Sequence, residues 1–317
     1  MEYPLHGSRI GMALKIPSKA PRDDKTSKIK RITESILGLP TLPTVVAQMI
    51  EMVDNPKTSA ASLARLISSD QSLTAKILKL ANSAYYGFPR EISTVNLAIV
   101  VLGFNAVKDM GLSVSILEAF SNSAETDLFE LTKFWEHSIG CGVAARMLAK
   151  KFNYRISGEA FVAGLLHDMG KVVLNQYLRY DLIKVLKIAD ERKCPLIEAE
   201  QEVLEVTHPQ IGAWLAEKWN LPEHIVEVIT FHHDPVNADR SPELVGIVYL
   251  ANILCHLCRI GNSGEVVIPE ISLVLWEWLQ SKQIYVETGE LEKYSQDFLE
   301  ELAKAETFIN FIQSKGN

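Results

Sequence analysis

From Thr33 onward, apolar residues recur at three- and four-residue spacing, punctuated by short proline, glycine and serine groups, and this period predicts one helix after another. No stretch alternates apolar and polar residues at period two for long enough to demand a sheet. The fold class expected is therefore all-α. Pro40 and Pro43 frame the entry to a first helix whose Val45, Met49, Met52 and Val53 mark one face, and Asn55-Pro56 ends it. A second starts at Ser59 and carries Leu63, Leu66 and Ile67. Ser69 or Asp70 caps a third with Leu73, Ile77, Leu80 and Ala84. Further helices are expected at Val95–Leu102 and Val107–Phe120. After a polar, acidic stretch at 121–127 the pattern resumes at about 128–151, 157–168, 171–192, 196–206, 209–219, 222–233, 242–260, 270–282 and 290–314.

The stretch at 121–127 is the natural cut between two helical lobes. The expected organisation is a disordered leader over 1–32, a first lobe over 33–124, a second over 125–262 and a C-terminal helical extension over 263–317. The leader reading rests on residues 15–31, where seven Lys or Arg face two Asp among prolines and serines.

With 317 residues, a sizeable core forms without metal or disulfide staples, so a bound metal would serve chemistry or regulation. Four cysteines are too few for a disulfide framework, which fits a reducing, cytoplasmic setting. The formal charge of −7 leaves no electrostatic footprint for nucleic acid, and no apolar run approaches the ~20 residues of a membrane span. Neither DNA nor membrane is an expected partner.

Five of the eight histidines fall where helix geometry asks for an explanation. His137 shares the buried face of its helix with Phe134, Cys141, Ala145 and Leu148, as a satisfied core histidine or as a ligand. His167 and Asp168 close an apolar helix, with Gly170 placed to stop it, and a buried carboxylate beside a buried imidazole is costly unless paired or coordinated. His208 precedes Pro209 and so sits at the start of the next helix. His232 and His233 end a helix on its apolar side, where two adjacent imidazoles are hard to satisfy with carbonyls alone. A shared Fe, Mn or Zn ion satisfies both. Cys255 and Cys258 have the spacing of half a zinc knuckle around His256, but no second pair exists, and both read as core.

The sequences HDMGK at 167–171, HPQIG at 208–212 and FHHDP at 231–235, with His137 some thirty residues before the first, resemble the HD superfamily of metal-dependent phosphohydrolases in the spacing of its HD-GYP branch. In the first half, LPTLPTVVAQMIEMV at 39–53, SSDQSLTAKILKLANSAYYG at 68–87 and STVNLAIVVLGFNAVKDM at 93–110 resemble the HDOD domain, the HD-related output domain of bacterial signalling proteins. The resemblance spans roughly residues 33–260. It implies an N-terminal helical lobe packed on an HD-like helical bundle, and a regulatory role in bacterial signal transduction exerted through binding a signalling protein.

It also implies a two-metal site. His137, His167 and Asp168 would hold one ion, and Asp168 would bridge to a second held by His208, His232 and His233. The family's last ligand, an aspartate, falls at Asn252, which offers only a neutral carbonyl oxygen. Two divalent ions bring +4 against the −1 of Asp168, so a bridging hydroxide or an anionic ligand such as a nucleotide or phosphate is favoured. Lys171 matches the family's lysine beside the metals, reading either as a phosphate contact or as a solvated helix-start lysine, and Arg146 is a second phosphate candidate. The GYP tripeptide is missing after FHHDP, where the chain reads VNADRSPEL. The two functions to separate are a metal-retaining binding module and an active phosphohydrolase using Asp168 and Lys171 on a nucleotide or cyclic dinucleotide.

Overall fold

The computed structural model describes residues 41–53, 55–120, 128–154, 157–269, 271–285 and 291–313. The leader over 1–32 and the expected cut at 121–127 lie outside the described residues. Among those described, the chain forms helices and no strand, as its apolar spacing requires.

The first lobe comprises α1 (Thr44–Val53), α2 (Ala60–Ser68), α3 (Gln71–Ala81), α4 (Val95–Leu102) and α5 (Phe104–Ala119). Side-chain caps start three of them. Ser59 and Ser62 cap α2 reciprocally, Asp70 accepts the Leu73 amide at 2.9 Å, and Thr94 accepts the Leu97 amide at 3.1 Å. Helix α5 is buried from Val107 to Leu117 because it packs against α1 and α3 on one side and α7 (Ser157–Leu166) of the second lobe on the other.

The second lobe is built on α6 (Leu131–Lys151), which lies against α7 and α13 (Pro242–Leu257). Close approach of α6 and α7 depends on Gly164, where a Cβ would sit 2.8 Å from the Cα of Gly142. Between α7 and α13 the chain forms α8 (Met169–Tyr177), α9 (Arg179–Arg192), α10 (Leu196–Val203), α11 (His208–Lys218) and α12 (Glu223–Phe231).

The single helix expected over 171–192 is two, divided at Leu178, because α8 packs on α11 whereas α9 packs on α10. Tertiary contacts here override a continuous helical propensity. Gly170 does not stop a helix. It lies in the first turn of α8, where a Cβ would come within 1.9 Å of the His208 carbonyl, so its missing side chain is what lets α8 cross α11.

The C-terminal region contains α14 (Leu273–Ser281), a 3-10 turn at Leu291–Tyr294, α15 (Ser295–Lys304) and α16 (Glu306–Gln313). One helix over 290–314 was the expectation, and the chain instead breaks at the buried Ala305 so that Phe298 and Phe308 both reach the core. Phe308 meets Tyr85 of the first lobe at 5.5 Å and Phe161 of α7 at 4.9 Å, clasping the two lobes from outside. Burial of each such ring stabilises the clasp by about 1.5–3 kcal/mol. No helix among the described residues is long and apolar enough to cross a membrane.

Candidate metal centre

Four helix ends and one helix face converge in the second lobe. His137 comes from the middle of α6, His167 and Asp168 from the turn between α7 and α8, His208 from the first residue of α11, and His232 and His233 from the end of α12. His137, His167, Asp168, His208 and His232 are at most 1% exposed, and only His233 reaches solvent, at 19%. Their ligand atoms fall into two groups that share Asp168: Asp168, His208, His232 and His233 in one, His137, His167 and Asp168 in the other.

Hydrogen bonds fix which nitrogen faces inward in three of the rings, His167, His208 and His232. A carbonyl accepts only, so His167 Nδ1 donates to the Gly164 oxygen at 2.7 Å and His232 Nδ1 donates to the Ile229 oxygen at 2.9 Å. His208 Nδ1 faces both oxygens of Glu200, at 2.9 and 2.8 Å, and the His208 amide donates to the same carboxylate at 2.8 Å. Outer partners of this kind, a carbonyl or carboxylate behind each ring, are those of metal-binding histidines. This turns the Nε2 lone pairs of His167 and His232 into the cavity, while His208, paired with Glu200, can carry a proton on its Nε2 as well.

What faces those nitrogens is further imidazole nitrogens and the Asp168 carboxylate. His208 Nε2 lies 3.2 Å from His232 Nε2, 3.1 Å from His233 Nε2 and 3.2 Å from Asp168 Oδ1, and His232 Nε2 lies 3.3 Å from the same oxygen. A proton on His208 can bridge only some of these contacts, whereas one cation satisfies all of them, and these spacings are what metal–nitrogen bonds of ~2.1 Å leave between ligand atoms. In the second group His167 Nε2, Asp168 Oδ1 and both ring nitrogens of His137 are buried with no hydrogen-bond partner. The donor set therefore fits divalent metal.

Electrostatics point the same way. Burial pushes His137 and His233 well below the usual imidazole range and His232 down to about 3, so all three are neutral. His208 is the exception, since burial works to lower it but Glu200 outweighs this and holds it above its usual value. Asp168 is likewise held well below the carboxylate range, against burial, by His167 and Lys171.

Lys171 is not solvated. It is 1% exposed, with its ammonium 2.9 Å from Asp168 Oδ2 and 3.3 Å from Glu265 Oε1, which offset burial and raise it above the usual lysine value. Asn252 is buried on α13 and its side-chain oxygen has no partner. One turn further along α13, His256 lies with its ring 4.8 Å from that of His137 and its Nε2 buried and unpartnered. Arg146 stands apart, at the seam between the lobes.

Three neighbours of the site escape sequence reasoning: Glu200, Glu265 and His256. Glu200 carries a legible signal, since it sits one turn from Leu196 on the buried face of α10, where a carboxylate needs a partner. Glu265, in a loop, carries none.

A model of the HDOD domain matches residues 39–235 of the chain. A crystal structure of an HDOD domain protein of unknown function from Geobacter sulfurreducens is 25% identical, with a TM-score of 0.76 covering 90% of this chain and 98% of that one. A candidate phosphohydrolase from Shewanella amazonensis SB2B shares the fold at 24% identity and a TM-score of 0.64, over 91% of this chain and 97% of the other. An uncharacterised protein of Treponema pallidum is 28% identical over 274 residues, or 84% of this chain. The chain spans 52% of that relative's length.

Proposed function

The chain belongs to the HDOD domain family, and on that premise we propose that it is a bacterial signalling output module whose second lobe retains divalent metal and whose output is contact with a protein partner. The observation that carries this reading is the convergence of the Nε2 atoms of His208, His232 and His233 with Asp168 Oδ1, at successive spacings of 3.1–3.3 Å, beside buried His137 and His167 nitrogens that have no hydrogen-bond partner. His208, His232, His233 and Asp168 would hold one ion. His137, His167 and Asp168, with Asn252 as a neutral oxygen donor, would hold a second and weaker one. Imidazole with carboxylate suits iron or manganese, with zinc as the alternative.

When bound, the metal supplies Lewis acidity toward a phosphoryl or carboxylate oxygen. The chain's own residues orient and restrict. Glu200 and the Gly164 and Ile229 carbonyls hold three rings in one orientation. Lys171 is fully engaged between Asp168 and Glu265, so an anion entering here must displace Glu265 to reach it. That engagement supports a binding role. The second reading, hydrolysis of a nucleotide or cyclic dinucleotide, is favoured by the position of Lys171 beside the shared carboxylate, and opposed by Asn252 and the missing GYP element.

Metal analysis of protein purified without chelator tests the proposal: about one to two ions per chain are expected, abolished in His232→Ala combined with His233→Ala, and under roughly a tenth of an equivalent would refute it. A phosphodiesterase screen of metal-replete protein separates the readings. Turnover lost on Asp168→Ala supports the enzyme, and inactivity supports the module.

A further inference from the structure

The seam between the lobes encloses a cavity of about 400 Å³ that shares no residue with the metal centre. The first lobe contributes Tyr85, Tyr86, Asn105 and Asp109, and the second contributes Arg146 from α6 and Phe161 from α7. Asp109 is 4% exposed, and its Oδ2 is buried with no hydrogen-bond partner. Arg146 lies over the Tyr85 ring at 4.2 Å and the Tyr86 ring at 5.3 Å. No ion pair joins Asp109 to Arg146 among the described residues, although both line the same space.

A buried carboxylate without a donor is costly, and the half-buried Arg146 guanidinium is met only by the neutral Tyr85 phenol and the charge of Glu301 at a distance, which leaves room for a stronger anionic partner. Burial indeed raises Asp109 to about 7, with Lys108 and Arg146 only partly opposing it. The Tyr85 phenol, pushed up to about 12 by burial, stays protonated and able to donate. A ligand that answers all of this needs three parts in a row: an N–H donor for Asp109, a flat apolar middle against Tyr86, Phe161 and Leu102, and an anionic end for Arg146. The volume falls within the ~300–1,000 Å³ of small-molecule sites and is generous for a free amino acid.

We infer that this cavity is a binding site for a mononucleotide with an amino- or imino-bearing purine base, its base edge on Asp109 and its phosphate on Arg146. The site bridges the lobes, so an occupant would contact α5, α6 and α7 together. A carboxylate discriminates among bases, because a purine amino or imino edge presents donors, whereas uracil flanks its one N–H with two carbonyl oxygens that a carboxylate repels.

The test is calorimetric titration of the full chain, in EDTA so that the metal centre plays no part, with GMP, AMP, UMP, guanosine and inorganic phosphate. GMP or AMP should bind at least about tenfold more tightly than UMP, which corresponds to ~1.4 kcal/mol. Arg146→Gln should bring the nucleotide down to the affinity of the nucleoside. Asp109→Asn should remove the preference for purine over uracil while leaving the phosphate dependence. Both variants must retain the wild-type circular dichroism spectrum, and Arg146→Lys, which keeps the charge, should recover part of the phosphate dependence. The inference is overturned if no nucleotide binds at millimolar concentration, if phosphate alone binds as well as GMP, or if binding is indifferent to both substitutions.

Discussion

Substituting Gly170 with alanine probes the contact that brings the two halves of the metal centre together. A Cβ at this position would lie 1.9 Å from the His208 carbonyl oxygen and 2.9 Å from the Gly212 amide nitrogen, where real Cβ contacts essentially never fall below 3.0 Å. The obstacle is backbone on both counts, so no side chain can rotate away. Helices α8 and α11 must separate by roughly 1 Å, and overpacking of this kind costs about 1–3 kcal/mol or somewhat more. At ~2–4 °C per kcal/mol for a chain of this size or slightly smaller, the melting temperature should fall by roughly 2–12 °C. The displacement also carries Asp168, two residues before Gly170, away from His208 Nε2, now 3.2 Å from its Oδ1. Metal affinity should then fall about tenfold or more, the loss expected when ligand placement is disturbed. Thermal denaturation of apo protein and a competitive chelator titration read the two effects separately. A Gly170→Ala protein that melts within ~1 °C of wild type would refute the crossing as described.

Other substitutions address the surrounding groups. Glu200→Gln keeps the shape behind His208 but removes the charge, and should weaken metal binding roughly 10–100-fold in a chelator competition. Asn252→Asp restores a carboxylate on α13 and should raise the second equivalent of bound metal, read by metal analysis, and unchanged stoichiometry would show that Asn252 does not limit it. For Asp109, whose pKa rises from 3.8 unfolded to about 7 folded, the unfolded chain loses a proton that the folded chain keeps, so its contribution lowers stability as pH rises from about 4 to 7 and stays constant above. Asp109→Asn should remove that slope, with a ceiling on the order of 4 kcal/mol, seen as a melting-temperature gain over wild type at pH 7.5 that vanishes near pH 4.

Much of this was legible along the chain because the signals were local. Ser59 and Asp70 each start a helix with a short polar side chain reaching its own third amide, a feature carried within four residues. The convergence of the histidines was legible for a different reason, since imidazoles on apolar helix faces must find something to bind and the resemblance to the HD superfamily implies a shared cavity. The breaks at Leu178 and Ala305 were not legible, because neither residue is a helix breaker and each break is set by which distant helix the flanking segments pack against. The role of Gly170 was misread for the same reason: a glycine after an apolar helix looks like its end until the second helix that touches it is known. Glu265 and His256 earn their places only through folding, one from a loop without periodicity and the other from a stretch that reads as ordinary core.

Glu265 has one further consequence. One of its oxygens holds Lys171, and the other lies 3.3 Å from the amide of Leu196 at the start of α10, the helix that carries Glu200 beneath His208. An anion that took over the lysine would therefore free a tether on α10 as well as vacate the cavity wall. Occupancy beside Asp168 and the stiffness of the protein's outer rim are in this way tied to a single side chain.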